Sequence, residues 1–184
     1  VDQLVHDRDP GIRETMMHFL ESGRKHPAIV LNLKDITDQH KLIVFRAVCR
    51  EYGIPSEQAP VIDLGRDMKQ QDERVDRYMT AVGRHLCSVP ETDAILCVND
   101  LGVLAVANLL RQEGRTLGDD IAIAGLNDPP ALRLWDPPLA SIDRNQAELV
   151  NVALEMLDAR MKDPEPRPRI RTVPMRFVCR ESAG

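Results

Sequence analysis

The sequence is poor in aromatic residues and carries no excess of positive charge. Aromatic side chains make up 3% of the 184 residues, so a buried core has to be built from aliphatic side chains. The formal net charge is −5, which leaves no basic field strong enough to hold nucleic acid. No apolar run reaches the length of about eighteen residues that a transmembrane helix needs. These absences favour a soluble domain that does not itself bind DNA or a membrane.

The four cysteines do not form a disulfide or metal-binding pattern. They lie at positions 49, 87, 97 and 179, without CxxC spacing or paired histidines. Most of them sit within apolar runs, as Cys97 does in AILCV. We therefore expect small buried side chains in a reducing compartment, which predicts a cytoplasmic protein without a structural metal. The first ten residues also lack the apolar stretch of a secretory signal.

Motifs that would anchor a catalytic function are missing as well. The sequence has no GxGxxG, no phosphate-binding loop, no HExxH and no GxSxG nucleophile elbow. An enzyme that used Asp100 or Asp128 as an acid or base would lack a nucleophile, a cofactor loop and a metal. We therefore predict a protein that is not an enzyme and needs no cofactor, and we keep such an enzyme as the least favoured alternative.

Short apolar segments alternate with longer segments of helical periodicity. This order is typical of a mostly parallel sheet with helical crossovers, which is an α/β fold. The clearest buried strand is the uninterrupted AILCV of residues 94–98. The predicted strands cover 1–5, 28–33, 60–64, 94–98, 121–124, 140–142 and 169–178. The predicted helices cover 11–22, 37–52, 71–88, 101–112 and 146–161.

Two of these strands run directly into polar pairs, Asn99-Asp100 and Asn127-Asp128. In an open α/β sheet, ligands bind outside the carboxyl ends of the strands. Amide and carboxylate groups at such ends can hold the adjacent hydroxyls of a polyol. We therefore expect both pairs to face one shared crevice. Two other interpretations stay open, since Asp100 can cap its helix and Asn127-Asp128-Pro129 can be a simple turn.

The last predicted helix, over 146–161, carries an apolar face. Its members recur at helical spacing: Leu149, Val152, Ala153, Met156 and Leu157. We expect this face either to pack on the protein's own sheet or to mediate self-association, because such a surface is unfavourable in water.

The order of these motifs resembles the lactose/galactose-repressor (LacI/GalR) family of bacterial transcription regulators. The segment TDAILCVND at 92–100 is similar to one strand end of that family, and DDIAIAGLND at 119–128 is similar to the next. The segments PPLASI at 137–142 and VCRES at 178–182 also resemble family segments, as does LESGRKH at 20–26. The resemblance covers essentially the whole chain and is most specific from Thr92 onward.

The resemblance implies a type I periplasmic-binding-protein-like fold, with two three-layer α-β-α lobes and an effector between them. It assigns residues 11–143 to the C-terminal lobe and residues 144–163 to a helix that belongs to the N-terminal lobe. Residues 1–10 would end that truncated N-terminal lobe, and residues 164–184 would return as a strand to the C-terminal lobe. The helix-turn-helix head and most of the N-terminal lobe would then lie outside this chain.

The resemblance also implies effector-binding residues at Lys41, Asn99, Asn127 and Asp128. The strand end adds Asp100 to this set, and the stacking of sugars on aromatic rings adds Trp135. Lys41 stands where the family commonly has an arginine, and lysine lacks the planar two-point fork of that residue. Asn127 stands where the family usually has an aspartate. Trp135, the only tryptophan, can stack on a sugar ring or cover its own loop.

The function implied by the resemblance is effector binding in a cytoplasmic transcriptional repressor. A small, sugar-like effector would bind between the lobes, and operator DNA would be bound only by the head. Regulators of this family generally act as dimers or tetramers, so we expect a homo-oligomer without membrane contact. The alternative is a solute receptor of a sugar transporter with the same two-lobe fold, which predicts an export signal upstream.

Overall fold

A computed structural model describes residues 1–65, 71–162 and 167–184 of the chain. The strands are β1 (Gln3–Asp7), β2 (Pro27–Leu31), β3 (Val61–Asp63), β4 (Ala94–Cys97), β5 (Ala122–Asn127), β6 (Ala140–Asp143), β7 (Ile170–Pro174) and β8 (Arg176–Val178). The helices are α1 (Asp9–Glu21), α2 (Ile36–Glu51), α3 (Gln71–Ser88), α4 (Asp100–Gln112) and α5 (Gln146–Lys162). Short 3-10 turns occupy Ser56–Gln58, Pro130–Leu134 and Glu181–Ala183.

Most strands form one sheet, the large sheet, in the order β3-β2-β4-β5-β6-β8. Its pairings are parallel, except that β8 runs antiparallel to β6. Parallel neighbours need crossover connections, and α2, α3 and α4 provide them within the large sheet. The predicted α/β class with a mostly parallel sheet is confirmed.

Helices cover both faces of the large sheet, because its strands are apolar on both sides. Successive side chains of a strand point to opposite faces. In β2, Ile29 and Leu31 pack into the core under α1 and α2, whereas Ala28 and Val30 pack into the core under α3 and α4. The result is the three-layer arrangement that the uninterrupted apolar strands predict.

A second, smaller unit is formed by β1, β7 and α5. Strands β1 and β7 pair in parallel as a two-stranded sheet, the small sheet. Val152 and Met156 of α5 are buried against Val173 of β7, with Leu4 and Leu149 at the margin. The expected packing of this helix on a sheet of the same protein is thus observed. Two members of its predicted face, Ala153 and Leu157, are exposed instead.

The chain passes between the two units at three places, and one of them corrects a prediction. The single strand expected over 169–178 is two strands, since β7 pairs with β1 in the small sheet and β8 pairs with β6 in the large one. Pro174, which has no backbone N–H to donate, ends the first pairing. Met175 then donates its backbone N–H to the carbonyl of Asp7 across 2.8 Å and is buried in the large core. The other passages lie at Arg8 and at 144–145.

The cysteines are only partly as expected. Cys49 and Cys97 are buried, but Cys87 and Cys179 are exposed. Burial raises the pKa of the Cys49 thiol to about 11, which makes it unreactive. Cys87 lies on the exposed side of an amphipathic helix, and Cys179 follows the last strand, so a neighbouring apolar run does not guarantee burial. Within the described ranges, no helix is both long and apolar enough to cross a membrane.

Candidate functional site

The carboxyl ends of β4, β5 and β6 bring three polar side chains into one hydrogen-bonded chain. The side-chain amide of Asn127 donates to Asp100 Oδ2 across 2.8 Å. Arg144 Nε in turn donates to Asn127 Oδ1 across 2.5 Å. The two polar strand ends predicted to share a crevice therefore do meet, and the end of β6 joins them.

These groups line a pocket of about 550 Å³, the edge pocket. Its lining residues come from the strand ends, the following loop and the start of α5: Asp100, Asn127, Asp128, Pro129, Pro130, Arg133, Asp143, Arg144, Gln146 and Ala147. The pocket thus lies where the large sheet passes into the small unit. Both hydrogen-bond donors and acceptors face it, which suits a ligand that carries both kinds of group.

Asp100 is the electrostatically unusual member of the edge pocket. Its Oδ1 atom is buried and has no hydrogen-bond partner among the described residues. Burial raises the pKa of Asp100, although the hydrogen bond from Asn127 and the charge of Arg144 oppose that rise. An acceptor buried without a partner is costly, so Asp100 is an energetically unfavourable group at the wall of the edge pocket.

The turn after β5 has an uncommon backbone. Asn127 has a φ of 108° and Asp128 a φ of 52°, both in the left-handed region that disfavours most side chains. Asparagine and aspartate tolerate positive φ better than other non-glycine residues do. The backbone changes direction at these two residues, and Asn127 is thereby directed toward Asp100.

Asp128 lies in the pocket lining, but its carboxylate is held by protein groups. Arg180 donates to both of its oxygens, at 2.6 and 2.8 Å, and Arg133 adds a contact of 3.3 Å. Burial acts to raise the pKa of Asp128, yet the hydrogen bonds and charges of Arg180 and Arg133 outweigh it and lower the pKa. Its side chain is only 2% exposed, so it resembles a structural anion more than a ligand-binding group.

Lys41 does not line the edge pocket. Its ammonium group is buried and donates to Asp38 Oδ1 across 2.6 Å. The other oxygen of Asp38 accepts the backbone N–H of Asn32, just after β2. A buried lysine needs such a partner, so the charge of Lys41 is used in an ion pair that stabilises the connection between β2 and α2.

Asn99 and Trp135 also lie outside the lining of the edge pocket. Asn99 Oδ1 accepts the backbone N–H of Leu101 across 2.9 Å and caps α4, a role considered above for Asp100. Trp135 packs at the margin of the core under α3 and α4, with the guanidinium of Arg111 5.6 Å above its ring. Arg111 lies at the far end of the helix that Asp100 begins, so Trp135 packs away from the edge pocket.

Arg144, Asp143 and Arg133 were missed by the sequence interpretation. Asp143 and Arg144 come directly after a predicted strand, as Asn99 and Asn127 do. The same rule, applied to every strand, would have found them. Arg133 gave no such signal, because the loop that carries it has no regular pattern.

Comparison with known families agrees with the α/β fold described above. Residues 16–183 match the family described as periplasmic binding protein-like domain. The chain belongs to this family, as the type I periplasmic-binding-protein-like expectation requires. Its relationship to regulators of the LacI/GalR type is confirmed as well.

The relatives include bacterial transcription regulators. The chain is 24% identical to the HTH-type transcriptional repressor PurR of Photobacterium profundum, over 98% of this chain and 52% of the relative. It is 26% identical to the ribose operon repressor of Haemophilus influenzae, over 89% and 48%. A LacI family transcriptional regulator from Enterococcus faecium, solved with bound ribose, superposes with a TM-score of 0.82 at 21% identity, covering 99% and 65%. The chain thus spans about half the length of the curated relatives it matches.

Proposed function

We propose that this chain is the effector-binding part of a DNA-binding transcriptional repressor and that it binds a small sugar-like molecule in the edge pocket. The observation that carries the proposal is the chain Asp100–Asn127–Arg144, which lines a pocket at the carboxyl edge of the sheet. Vicinal hydroxyls of a sugar can donate to the Asp100 carboxylate and accept from the guanidinium of Arg144. Two relatives named as repressors, and a related regulator with bound ribose, support this class of function.

Binding, and not catalysis, is the proposed chemistry. Two of the three members of the chain, Arg144 and Asn127, carry a guanidinium and an amide, which are hydrogen-bonding groups and not the usual acids or bases of catalysis. They suit recognition of a hydroxylated ligand more than acid–base chemistry. The named relatives are regulators, which favours a repressor over a solute receptor.

Isothermal titration with ribose and a panel of other pentoses, hexoses and disaccharides tests the proposal. We expect one class of sugar to bind with one site per chain. Asn127→Ala should weaken that binding roughly tenfold or more, because it removes the hydrogen bonds that hold the Asp100 carboxylate and the Arg144 guanidinium in place. Asn151→Ala is the matched control, since Asn151 is exposed on α5 and should leave affinity unchanged. Absence of binding by every sugar, or wild-type affinity of Asn127→Ala, would refute the proposal.

We further propose that the small unit belongs to a second lobe that closes over the edge pocket. In this proposal residues 1–10 and the helix within 144–163 belong to that lobe, and a separate head binds operator DNA in the cytoplasm. Effector binding would shift lobe closure and thereby the DNA affinity of the head, with a coupling of about 1–3 kcal/mol. Titration of the full-length protein with and without operator DNA tests this coupling. Identical effector affinity under both conditions would exclude it.

Self-association is the last part of the proposal. Four apolar side chains on the outer side of α5 are 56–69% exposed: Val150, Leu154, Leu157 and Met161. They continue into an apolar groove of about 600 Å³ between α5 and β1, lined in part by Leu4, Met156 and Leu157. Such a continuous exposed stripe favours self-association of this chain.

A further inference from the structure

The C-terminal segment, residues 180–184, is hydrogen-bonded to the turn that carries Asn127. Arg180 Nη1 donates to Asp128 Oδ1 across 2.6 Å, and its Nη2 donates to Oδ2 across 2.8 Å. The same Nη1 also donates to the carbonyl of Leu139 across 2.7 Å. A planar guanidinium that holds both oxygens fixes the orientation of a carboxylate as well as its position.

This contact acts on a backbone that needs support. Asn127 and Asp128 both have positive φ, and the pairing of β5 with β6 ends at Asn127, so Asp128 has no ladder partner. The backbone N–H of Asp128 donates to Ser141 Oγ across 3.2 Å, which is a long bond. The two short bonds from Arg180 are therefore the stronger restraint on the residue that follows Asn127.

We propose that Arg180 is a positioning residue of the edge pocket. By gripping Asp128, it holds the turn in the conformation that presents the amide of Asn127 to Asp100 and its carbonyl oxygen to Arg144. Arg180 would thus set effector affinity from outside the pocket lining. The role in affinity rests on the proposed function, but the role in placing Asn127 does not.

Ser182 provides a matched control on the same segment. Its hydroxyl donates to the carbonyl of Ile123 across 2.9 Å and accepts the backbone N–H of Ala140 across 2.8 Å. It is buried and ties the C-terminal segment to β5 and β6, as Arg180 does. Its bonds do not involve Asn127 or Asp128, so Ser182→Ala removes hydrogen bonds of the same C-terminal segment and leaves those of the turn intact.

The test without ligand compares the protein with Arg180→Met and Ser182→Ala by NMR. It follows the side-chain amide of Asn127 and the titration of the Asp100 carboxyl. Arg180→Met should shift the Asn127 amide signals. Arg180→Lys, which keeps a positive charge beside Asp128, should raise the pKa of Asp100 further, because the bond from Asn127 that lowers this pKa is lost. Ser182→Ala should lower the Tm and leave both signals at their wild-type values. Wild-type signals in Arg180→Met, or equal changes in both variants, would overturn the proposal.

The second arm uses whichever sugar binds in the titrations above. Arg180→Met should weaken its binding roughly tenfold, and Ser182→Ala should not. If Arg180→Met fails to fold, Arg180→Lys replaces it, because lysine keeps the charge but cannot span both carboxylate oxygens. Arg180→Lys should then change the Asn127 and Asp100 signals in the same direction, and unchanged signals would overturn the proposal. A failure to find a sugar would count against the proposed function alone.

Discussion

The side-chain amide of Asn127 donates to Asp100 Oδ2 across 2.8 Å and thereby joins the ends of β4 and β5. The aspartate that the family resemblance implies at position 127 would place two carboxylates in contact. Like charges in contact raise each other's pKa and destabilise the fold near neutral pH. Asparagine at position 127 therefore suits a neighbour whose own carboxylate is half-buried and has a raised pKa.

The two carboxyl groups of the site should affect stability with opposite dependence on pH. The pKa of Asp100 is raised in the folded protein, so the native state takes up its proton more readily than the unfolded chain. Its ionisation therefore costs stability as pH rises above its ordinary value of 3.8. Asp100→Asn removes this cost, so the free energy of unfolding of the variant should increase relative to that of the wild type as pH rises toward neutral.

Asp128 should give the reverse behaviour and serves as the comparison. Its pKa is lowered in the folded protein, so its contribution is present above 3.8 and is lost as pH falls through the lower folded value. Asp128→Asn should therefore lose stability relative to wild type as pH rises. Urea unfolding of both variants over a range of acidic to neutral pH measures the two slopes. Slopes of the same sign would contradict the assigned environments.

Loss of the Asp128 carboxylate should be among the costlier single changes in the protein. Asp128→Ala leaves Arg180, which is 12% exposed, without its counter-charge. Removing one partner of a buried ion pair typically costs about 3–5 kcal/mol of unfolding free energy. The exposed pair Arg13–Glu51 has similar two-point geometry, with distances of 3.0 and 2.7 Å. Glu51→Ala is thus the control and should cost far less, because water replaces the lost contact.

Gly102 allows the ring of Tyr78 to lie against the first turn of α4, next to Asp100. A Cβ at Gly102 would lie 2.4 Å from Tyr78 Cε1, and the ring is only 4% exposed. Gly102→Ala should therefore cost about 1–3 kcal/mol through overpacking. Gly83 also lies within a helix, but the nearest neighbour of its Cβ would be at 3.8 Å. Gly83→Ala should be neutral or stabilising by up to about 1 kcal/mol, and equal losses in thermal unfolding would contradict this account.

The sequence could predict the parts of the site that follow from the order of neighbouring residues. It could not predict the parts that need contacts between segments far apart in the chain. Polar residues directly after apolar strands identified Asp100 and Asn127, because parallel strands bring their carboxyl ends to one edge. Arg180 is 52 residues from Asp128, and no periodicity links the two. Trp135 likewise depends on a loop that packs back along α4 toward Arg111. The α/β architecture was predictable because the alternation of strands and helices is also a matter of local sequence order.

Helix α5 was predictable as a helix, but its two faces were not separable from spacing alone. Both Val152 and Leu157 continue an apolar pattern, yet only the first is buried. The small sheet offers two strands, which cover one side of a helix and leave the other side exposed. Which face is covered depends on the pairing of β1 with β7, strands from opposite ends of the sequence.

The exposed face of α5 should drive association of the chain. Its residues 150, 154, 157 and 161 are separated by four, three and four positions, the spacing of a helix–helix seam. A charge in the middle of that seam is costly to bury, so Leu154→Lys should shift the protein toward monomer in sedimentation velocity over a range of concentrations. Ile36→Lys is the control, since Ile36 is 80% exposed outside the seam and should leave association unchanged. A wild-type protein that stays monomeric at every concentration would show that this face does not bind a second copy.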